Sequence, residues 1–204
     1  MSLPPLILPE YEAVAEVIRQ SEDWYEGGIL RDLKRRLPKQ RTVVDVGAHI
    51  GNHSMFWLQE GAETVVAFEP MPEAFRFLDA NLDTYPNAHA IRAAISCEPG
   101  FVWMAWDEVN WGRSRVVTGG DRRVPATTLD AWGIPDVSLL KVDVEGWQHH
   151  VIEGAVATLT RWTPDIIAED DDGDLLDTLE RIGMVGYRKT KTYPGANALY
   201  EWAP

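Results

Sequence analysis

TVVDVGAHIGNH, Thr42 to His53, sets the reading of the whole chain. Its first five residues predict a short strand, because β-branched side chains suit a pleated backbone. Gly47 and Gly51 follow, and glycine lets a chain turn sharply and approach a ligand closely. A helix starting near Gly51 offers N–H groups with no intrahelical partner. Strand, glycine turn and helix together suit a nucleotide-like cofactor. Position 49 is a histidine, however, so the dinucleotide pattern G-x-G-x-x-G is absent.

Downstream, Asn52–Glu60 predicts a helix and Thr64–Phe68 a second strand. Pro72 begins a helix to about Asn81, with proline suited to the first turn, and Ala88–Ile95 predicts a third strand. This βαβαβ succession predicts a parallel sheet covered by helices on both faces, with right-handed crossovers. The middle is turn-rich. Phe101–Trp106 and Ser114–Val117 read as strands around DEVNWGR, and GGDRR leads to Val124 and PATTLDAW. Alternation returns with strand Ser138–Val142, helix Gln148–Leu159, strand Asp165–Ala168 and helix Asp174–Ile182. Val185–Lys189 and Asn197–Trp202 finish the sheet as a hairpin around YPGA.

Upstream, Pro4, Pro5 and Pro9 open an irregular arm. Tyr11–Gln20 carries Val14, Val17 and Ile18 at helical spacing. After Gly27-Gly28 the pattern resumes over Ile29–Leu37, and Pro38 stops it. Residues 1–40 therefore read as a helical extension that packs on the domain or lids its cofactor. Residues 41–204 read as one α/β domain.

The 204 residues suffice for one well-cored domain. Nineteen Lys and Arg against 32 Asp and Glu give a formal charge of −13, which argues against broad nucleic-acid binding. The one dense basic run, Arg31 to Arg41, reads as a solvated helix face and linker. The single cysteine, Cys97, excludes an intrachain disulfide, favours a reducing compartment and reads as a buried thiol. MSLPPLILPE has no basic n-region, and no run approaches the ~20 apolar residues of a membrane span. A soluble, cytoplasmic protein is expected.

Asp45 stands two residues before Gly47, and Glu69 ends the second strand in AFEP. Ligands of doubly wound sheets bind beyond the carboxyl ends of the strands, so Asp45, Gly47, Gly51 and Glu69 should converge there. A carboxylate ending the second strand suits the two hydroxyls of a ribose. Like charge disfavours a pyrophosphate beside Asp45. S-adenosylmethionine carries a sulfonium, an ammonium and only one carboxylate, so it fits both the acid and the missing middle glycine. The alternative for Asp45 is capping of the turn.

LLKVDVEGWQHH, Leu139 to His150, is the second informative stretch. Lys141, Asp143 and Glu145 alternate and share a face while the strand stays extended. Lys141 reads as a structural ion pair or as a cation that positions a substrate oxygen. The acids suit a general base, or a divalent metal with Glu169, while Glu145 alternatively caps the next helix. No metal ligand set is assigned. Of His149 and His150, one is expected buried and one exposed. EDDDGD, Glu169 to Asp174, lacks full calcium-loop spacing and reads as a strand end before a helix.

The chain resembles the FkbM-type S-adenosylmethionine-dependent methyltransferases. The resemblance rests on VVDVGAHIGNHS, VVAFEPMPEAF, VPATTLDAW, LLKVDVEGWQHHVIEGA and PDIIAE, in this order from Val43 to Glu169. It implies a Rossmann-like class I methyltransferase fold, a seven-stranded, mostly parallel sheet with an antiparallel last strand. It implies methyl transfer from S-adenosyl-L-methionine to a hydroxyl of a small molecule or sugar, leaving S-adenosyl-L-homocysteine. Asp45, Gly47, Ala48, His49, Gly51, Asn52, Glu69 and Pro70 are the implied cofactor contacts. Asn110, Trp111 and Ser114, in NWGRS, are the implied substrate contacts. His49 departs from the asparagine common in the family.

Methyl transfer needs an in-line nucleophile, and a hydroxyl benefits from a nearby base. Asp143 or Glu145 is expected to take that proton, with Lys141 supporting the charge. Trp103, Trp106 and Trp111 either stack on a flat acceptor or fill a core, and opposite parity keeps Trp103 and Trp106 off one strand face. A nicotinamide-dependent oxidoreductase and a non-catalytic cofactor-binding interaction protein are the alternatives. Asp45 and the missing glycine count against the first, and KVDVEG against the second.

Overall fold

A computed structural model describes residues 6–37 and 40–203. Pro4, Pro5 and Pro38, read above as arm and stop signals, lie outside the described residues. In chain order the elements begin with helices α1 (Ala13–Ser21) and α2 (Gly27–Arg36). Then come β1 (Thr42–Val46), α3 (Asn52–Gln59), β2 (Thr64–Phe68), α4 (Pro72–Leu82) and β3 (Ala88–Ile91). The middle holds β4 (Ala94–Ile95), β5 (Gly100–Ala105), β6 (Arg115–Val116) and β7 (Arg122–Thr127). The remainder is β8 (Val137–Val142), α5 (Gln148–Glu153), α6 (Val156–Trp162), β9 (Asp165–Glu169), α7 (Leu175–Arg181), β10 (Tyr187–Thr192) and β11 (Asn197–Trp202).

The main sheet has seven strands in the order β10-β11-β9-β8-β1-β2-β3. Neighbours from β9 to β3 are parallel, while β11 runs antiparallel to both β9 and β10. The expected sheet is therefore present, its last strand inserted antiparallel. Strand alternation divides the core. Val44, Val46, Leu140 and Val142 pack one face against Val151, Ile152, Leu159, Leu175 and Leu179 of α5–α7. Val43, Val65, Leu139 and Ile167 pack the other against α2–α4 through Leu30, Leu33, Met55, Phe56 and Leu78. Leu30 and Leu33 thus bury α2 in the same core as the sheet, and its arginines pair outward with Asp23 and Asp32.

Two expected elements divide. Ala88–Ile95 is two strands: a turn in which the Ala93 N–H donates to the Ile91 carbonyl at 3.1 Å sends β4 into a second sheet, order β4-β7-β5-β6. Gln148–Leu159 breaks at Gly154, where a Cβ would lie 2.1 Å from the Ser96 carbonyl oxygen. The restart is capped from outside, as the Asp130 carboxylate accepts from the N–H groups of Ala157 and Thr158, each at 2.8 Å. Cys97 is half-buried rather than buried. Among the described residues no helix is long and apolar enough to cross a membrane.

Candidate active site

The strand order reverses between β1 and β8, the point where a crevice opens beyond the strand ends. A cavity of about 320 Å³ lies there. Lys141, Asp143, Glu145, Gly47, Ala48, His49, Asn52, Glu69, Pro70, Asn110, Trp111 and Ser114 all line it. Asp45 and Gly51 stand behind its wall.

The glycine loop is dictated sterically. Gly47 has φ +79°, and a Cβ there would lie 1.7 Å from the Asp143 carbonyl oxygen. Gly51, at φ +90°, is the N-cap of α3. His49 takes the left-handed region at φ 53°, uncommon for a non-glycine residue. Its N–H donates to Glu69 Oε2 at 2.9 Å, and the Met71 N–H donates to Oε1 at 2.8 Å. Burial pushes the Glu69 carboxyl up to about 7, against the pull of those two N–H donors. A carboxylate offers about four acceptor positions, so capacity remains for two hydroxyls from the cavity.

Asp45 does not line the cavity. Its carboxylate is 0% exposed, accepts from Ser54 Oγ at 2.6 Å and pairs with Lys141 Nζ at 3.0 Å. Lys141 also donates to the Gly47 carbonyl at 3.1 Å and lies 3.4 Å from Asp143 Oδ2. Burial alone would raise the Asp45 carboxyl, but the Lys141 ammonium outweighs it and holds the group below its usual range. Burial would likewise lower Lys141, and Asp45 and then Asp143 reverse this and raise it. The structural ion pair is therefore formed, and it sits directly under the cavity.

Glu145 leaves the alternation. The strand ends at Val142 and Glu145 turns left-handed at φ 49°, so it does not share an extended face with Lys141 and Asp143. Nor does it cap α5, whose N-cap is Trp147. Burial first, then Asp143, raises its carboxyl. Glu169, at the end of β9, also lines the cavity, and burial followed by Asp143 and Glu145 raises it to about 8.

A carboxyl raised in the folded state contributes stability below its unfolded pKa and loses it as pH rises through the folded value. Glu169→Gln should therefore raise Tm by a few degrees at pH 9 in a thermal melt and change it little at pH 4. Equal Tm shifts at both pH values would contradict the assignment.

Other residues came from outside the motifs. Val14, Tyr25 and Glu26 of the N-terminal helical region line the cavity, as do Gly195 and Asn197. The Asn52 side chain joins this arm, accepting from the Tyr25 N–H and donating to the Tyr25 carbonyl, each at 3.1 Å. Glu26 Oε1 accepts from Asn197 Nδ2 at 3.1 Å, and Oε2 lies 3.4 Å from His53 Nε2.

Trp111 faces the cavity and stacks on Trp106, with centroids 5.8 Å apart. Trp103, on β5, is 45% exposed, and Trp106 lies beyond the end of that strand. His149 and His150 are both half-buried, not one of each. His149 contacts Thr178 at 2.7 Å and Asp174 at 3.0 Å, and His150 stacks on Trp147. In EDDDGD, Asp170 accepts from the Leu175 N–H at 3.2 Å and pairs with Lys189. Among the described residues no group of three or more His, Cys, Asp or Glu is placed to hold a metal ion.

Sheet order, glycine loop and strand-end acids define a Rossmann-like class I methyltransferase fold. The chain belongs to the FkbM methyltransferase family: the methyltransferase FkbM domain matches residues 45–188. Among solved structures, the FkbM methyltransferase of Methylobacillus flagellatus KT is similar at TM-score 0.61 and 18% identity, over 79% of this chain and 43% of that one. The chain thus spans less than half the length of that relative. A protein of the NADB-Rossmann superfamily from Streptococcus agalactiae gives TM-score 0.58 at 11% identity, over 90% and 71% of the two chains. A TehB-like SAM-dependent methyltransferase from Corynebacterium glutamicum gives 0.51 at 13%, over 92% of each. At these identities the likenesses establish the fold. No curated protein matches the sequence.

Proposed function

We propose that the cavity binds S-adenosyl-L-methionine and transfers its methyl group to a hydroxyl of a small molecule or sugar. The observation that carries this is Glu69, a carboxylate at the end of β2 that is only 6% exposed, fixed by two backbone N–H groups and lining the cavity beside the glycine loop. Such a group suits the two ribose hydroxyls. Gly47, Ala48 and His49 carry the backbone along the cofactor, and Pro70 ends the ribose wall. Asp45 and Gly51 act from behind, by charge and by the shape of the turn. Phe68, Met71 and Ile95 supply apolar surface for the adenine. When bound, the cofactor supplies an electrophilic methyl group.

Asp143 and Glu145 lie at the reacting centre and set its field, with Lys141 neutralising part of their charge. Asn110, Trp111 and Ser114 contact the acceptor. Residues 41–204 form the methyl-transfer unit, and residues 1–40 supply a cover through Val14, Tyr25 and Glu26. A single cysteine suits a reducing compartment, and we place the reaction in the cytoplasm.

The reading is tested with methyl-labelled S-adenosylmethionine and a protein-free small-molecule extract, following label into acceptors. Asp143→Asn should lower transfer about 100-fold, in the range for loss of one preorganised charge. Its affinity for S-adenosylhomocysteine should stay within about threefold of the parent. Full transfer by that variant would remove Asp143 from the chemistry.

A further inference from the structure

Methyl transfer to a hydroxyl leaves one question: where the acceptor's proton goes. Asp143 is held by Lys141 at 3.4 Å, and Glu145 has left the strand. His49 is placed differently. It lines the cavity from the glycine loop, and its ring meets Trp111 edge-on with centroids 6.3 Å apart. One of its ring nitrogens, Nε2, is buried and faces Glu12 Oε1 at 3.6 Å.

Glu12 is the unusual partner. It belongs to the N-terminal arm, outside the residues that match the family domain. Its side chain is 0% exposed. Oε2 accepts from the Ala15 N–H at 2.8 Å as the N-cap of α1. Oε1, like His49 Nε2, is buried with no hydrogen bond to any other group among the described residues. A buried carboxylate oxygen without a donor is costly. The two orphaned atoms face each other, and each is satisfied when Nε2 carries the proton. That tautomer leaves Nδ1 as an unprotonated lone pair. A separation of 3.6 Å is too long for a formed hydrogen bond, and such contacts tighten in the loaded enzyme.

We propose that His49 is the general base of the reaction, with Nδ1 taking the acceptor's proton, and that Glu12 is its positioning residue. The proposal rests on the methyl-transfer reading above. In the step, the acceptor oxygen bonds to the methyl carbon as the carbon–sulfur bond breaks. The sulfonium becomes a neutral thioether. The hydroxyl proton moves to Nδ1, and the imidazolium, stabilised by Glu12, later releases it to water. No oxidant or metal enters the balance.

The surroundings suit a base. Burial is the largest influence on the imidazole and lowers it; Glu12 and then Asp143 pull it up, and Lys141 pushes it down. The net shift is downward, so the ring is held neutral and able to accept a proton. The backbone N–H of the same residue is held by Glu69, which fixes the loop from which the ring projects.

The test uses the full chain labelled with [¹⁵N]histidine and saturated with S-adenosylhomocysteine. Multiple-bond ¹H–¹⁵N NMR reads each ring's tautomer, and His49→Gln identifies the His49 signal among the five histidines. The Nε2–H tautomer is expected, and Glu12→Gln should move the His49 protonation midpoint to lower pH. An Nδ1–H tautomer, or a midpoint unmoved by Glu12→Gln, overturns the dyad. In the labelled-methyl assay, His49→Gln should lose transfer 10²- to 10⁴-fold, far more than it weakens S-adenosylhomocysteine binding. Transfer within threefold of the parent overturns the base. Failure of the parent chain to bind S-adenosylhomocysteine would instead sink the methyl-transfer reading and with it the base's substrate. The tautomer, read without ligand, would still report on the dyad.

Discussion

Lys141→Met should lose about 3–5 kcal/mol of folding stability, the cost of stranding a buried charge. The Asp45 carboxylate is 0% exposed, and without the ammonium at 3.0 Å only the Ser54 hydroxyl remains to it. That loss is a large share of the 5–15 kcal/mol typical of a domain. The pH dependence has a defined sign. In the parent, Lys141 holds the Asp45 carboxyl low, so this contribution is present above the unfolded pKa and fades as acid protonates the group. In the variant the buried, unpaired carboxyl rises above its unfolded value, so its penalty shrinks as pH falls through that raised value and is gone below about pH 4. Urea unfolding of parent and variant should converge as pH falls. The double variant with Asp45→Asn should recover part of the loss at neutral pH. A loss below about 1 kcal/mol at pH 7 would mean that water reaches the pair.

Gly47→Ala should be nearly as damaging, for a steric reason. The new methyl would lie 1.7 Å from a backbone oxygen, at φ +79°, so the β1–α3 loop or the segment just after β8 must give way. Left-handed strain and overpacking together cost about 3–5 kcal/mol. S-adenosylhomocysteine affinity should fall at least about 100-fold because the displaced carbonyl belongs to Asp143 and the displaced loop lines the cavity. Gly61→Ala is the control. It has φ +88° but nothing within 4 Å of the added atom, so only the left-handed strain of about 1–2 kcal/mol applies. Similar losses for the two variants would deny the close approach at Gly47.

The main sheet was legible because apolar strands alternate with amphipathic helices, and tertiary contacts only reinforce that pattern. Of the second sheet, β5 and β6 were legible as the strands expected over Phe101–Trp106 and Ser114–Val117, while β4 and β7 were not. β4 has two residues, and β7 contains Pro125, which argues against a central strand. The strand survives because β4 pairs only with Ala126 and Thr127, leaving Pro125 a partner on one side. The single helix over Gln148–Leu159 failed for a contact distant in sequence, the Ser96 carbonyl against Gly154.

In the site, Glu69 and Asp143 were readable because strand ends are where an α/β sheet binds ligands. Asp45 was readable as a partner acid, but whether it faces the cavity or Lys141 depends on side-chain depth. Glu145 departs because a left-handed turn interrupts the alternation on which its face was assigned. Tyr25, Glu26 and Glu12 carry no local motif. They reach the site through tertiary pairings with Asn52, His53 and His49, which spacing does not reveal.

The most direct test of the account is calorimetric titration of the full chain with S-adenosylhomocysteine and, separately, with NAD, for the parent and Glu69→Gln. The parent should bind S-adenosylhomocysteine at one site and show no heat with NAD. Glu69→Gln should bind about 10- to 100-fold more weakly, through loss of charge-assisted bonds to the ribose hydroxyls. Binding of NAD alone, or unchanged affinity in Glu69→Gln, would contradict the assignment of this cleft to a sulfonium cofactor held by its ribose.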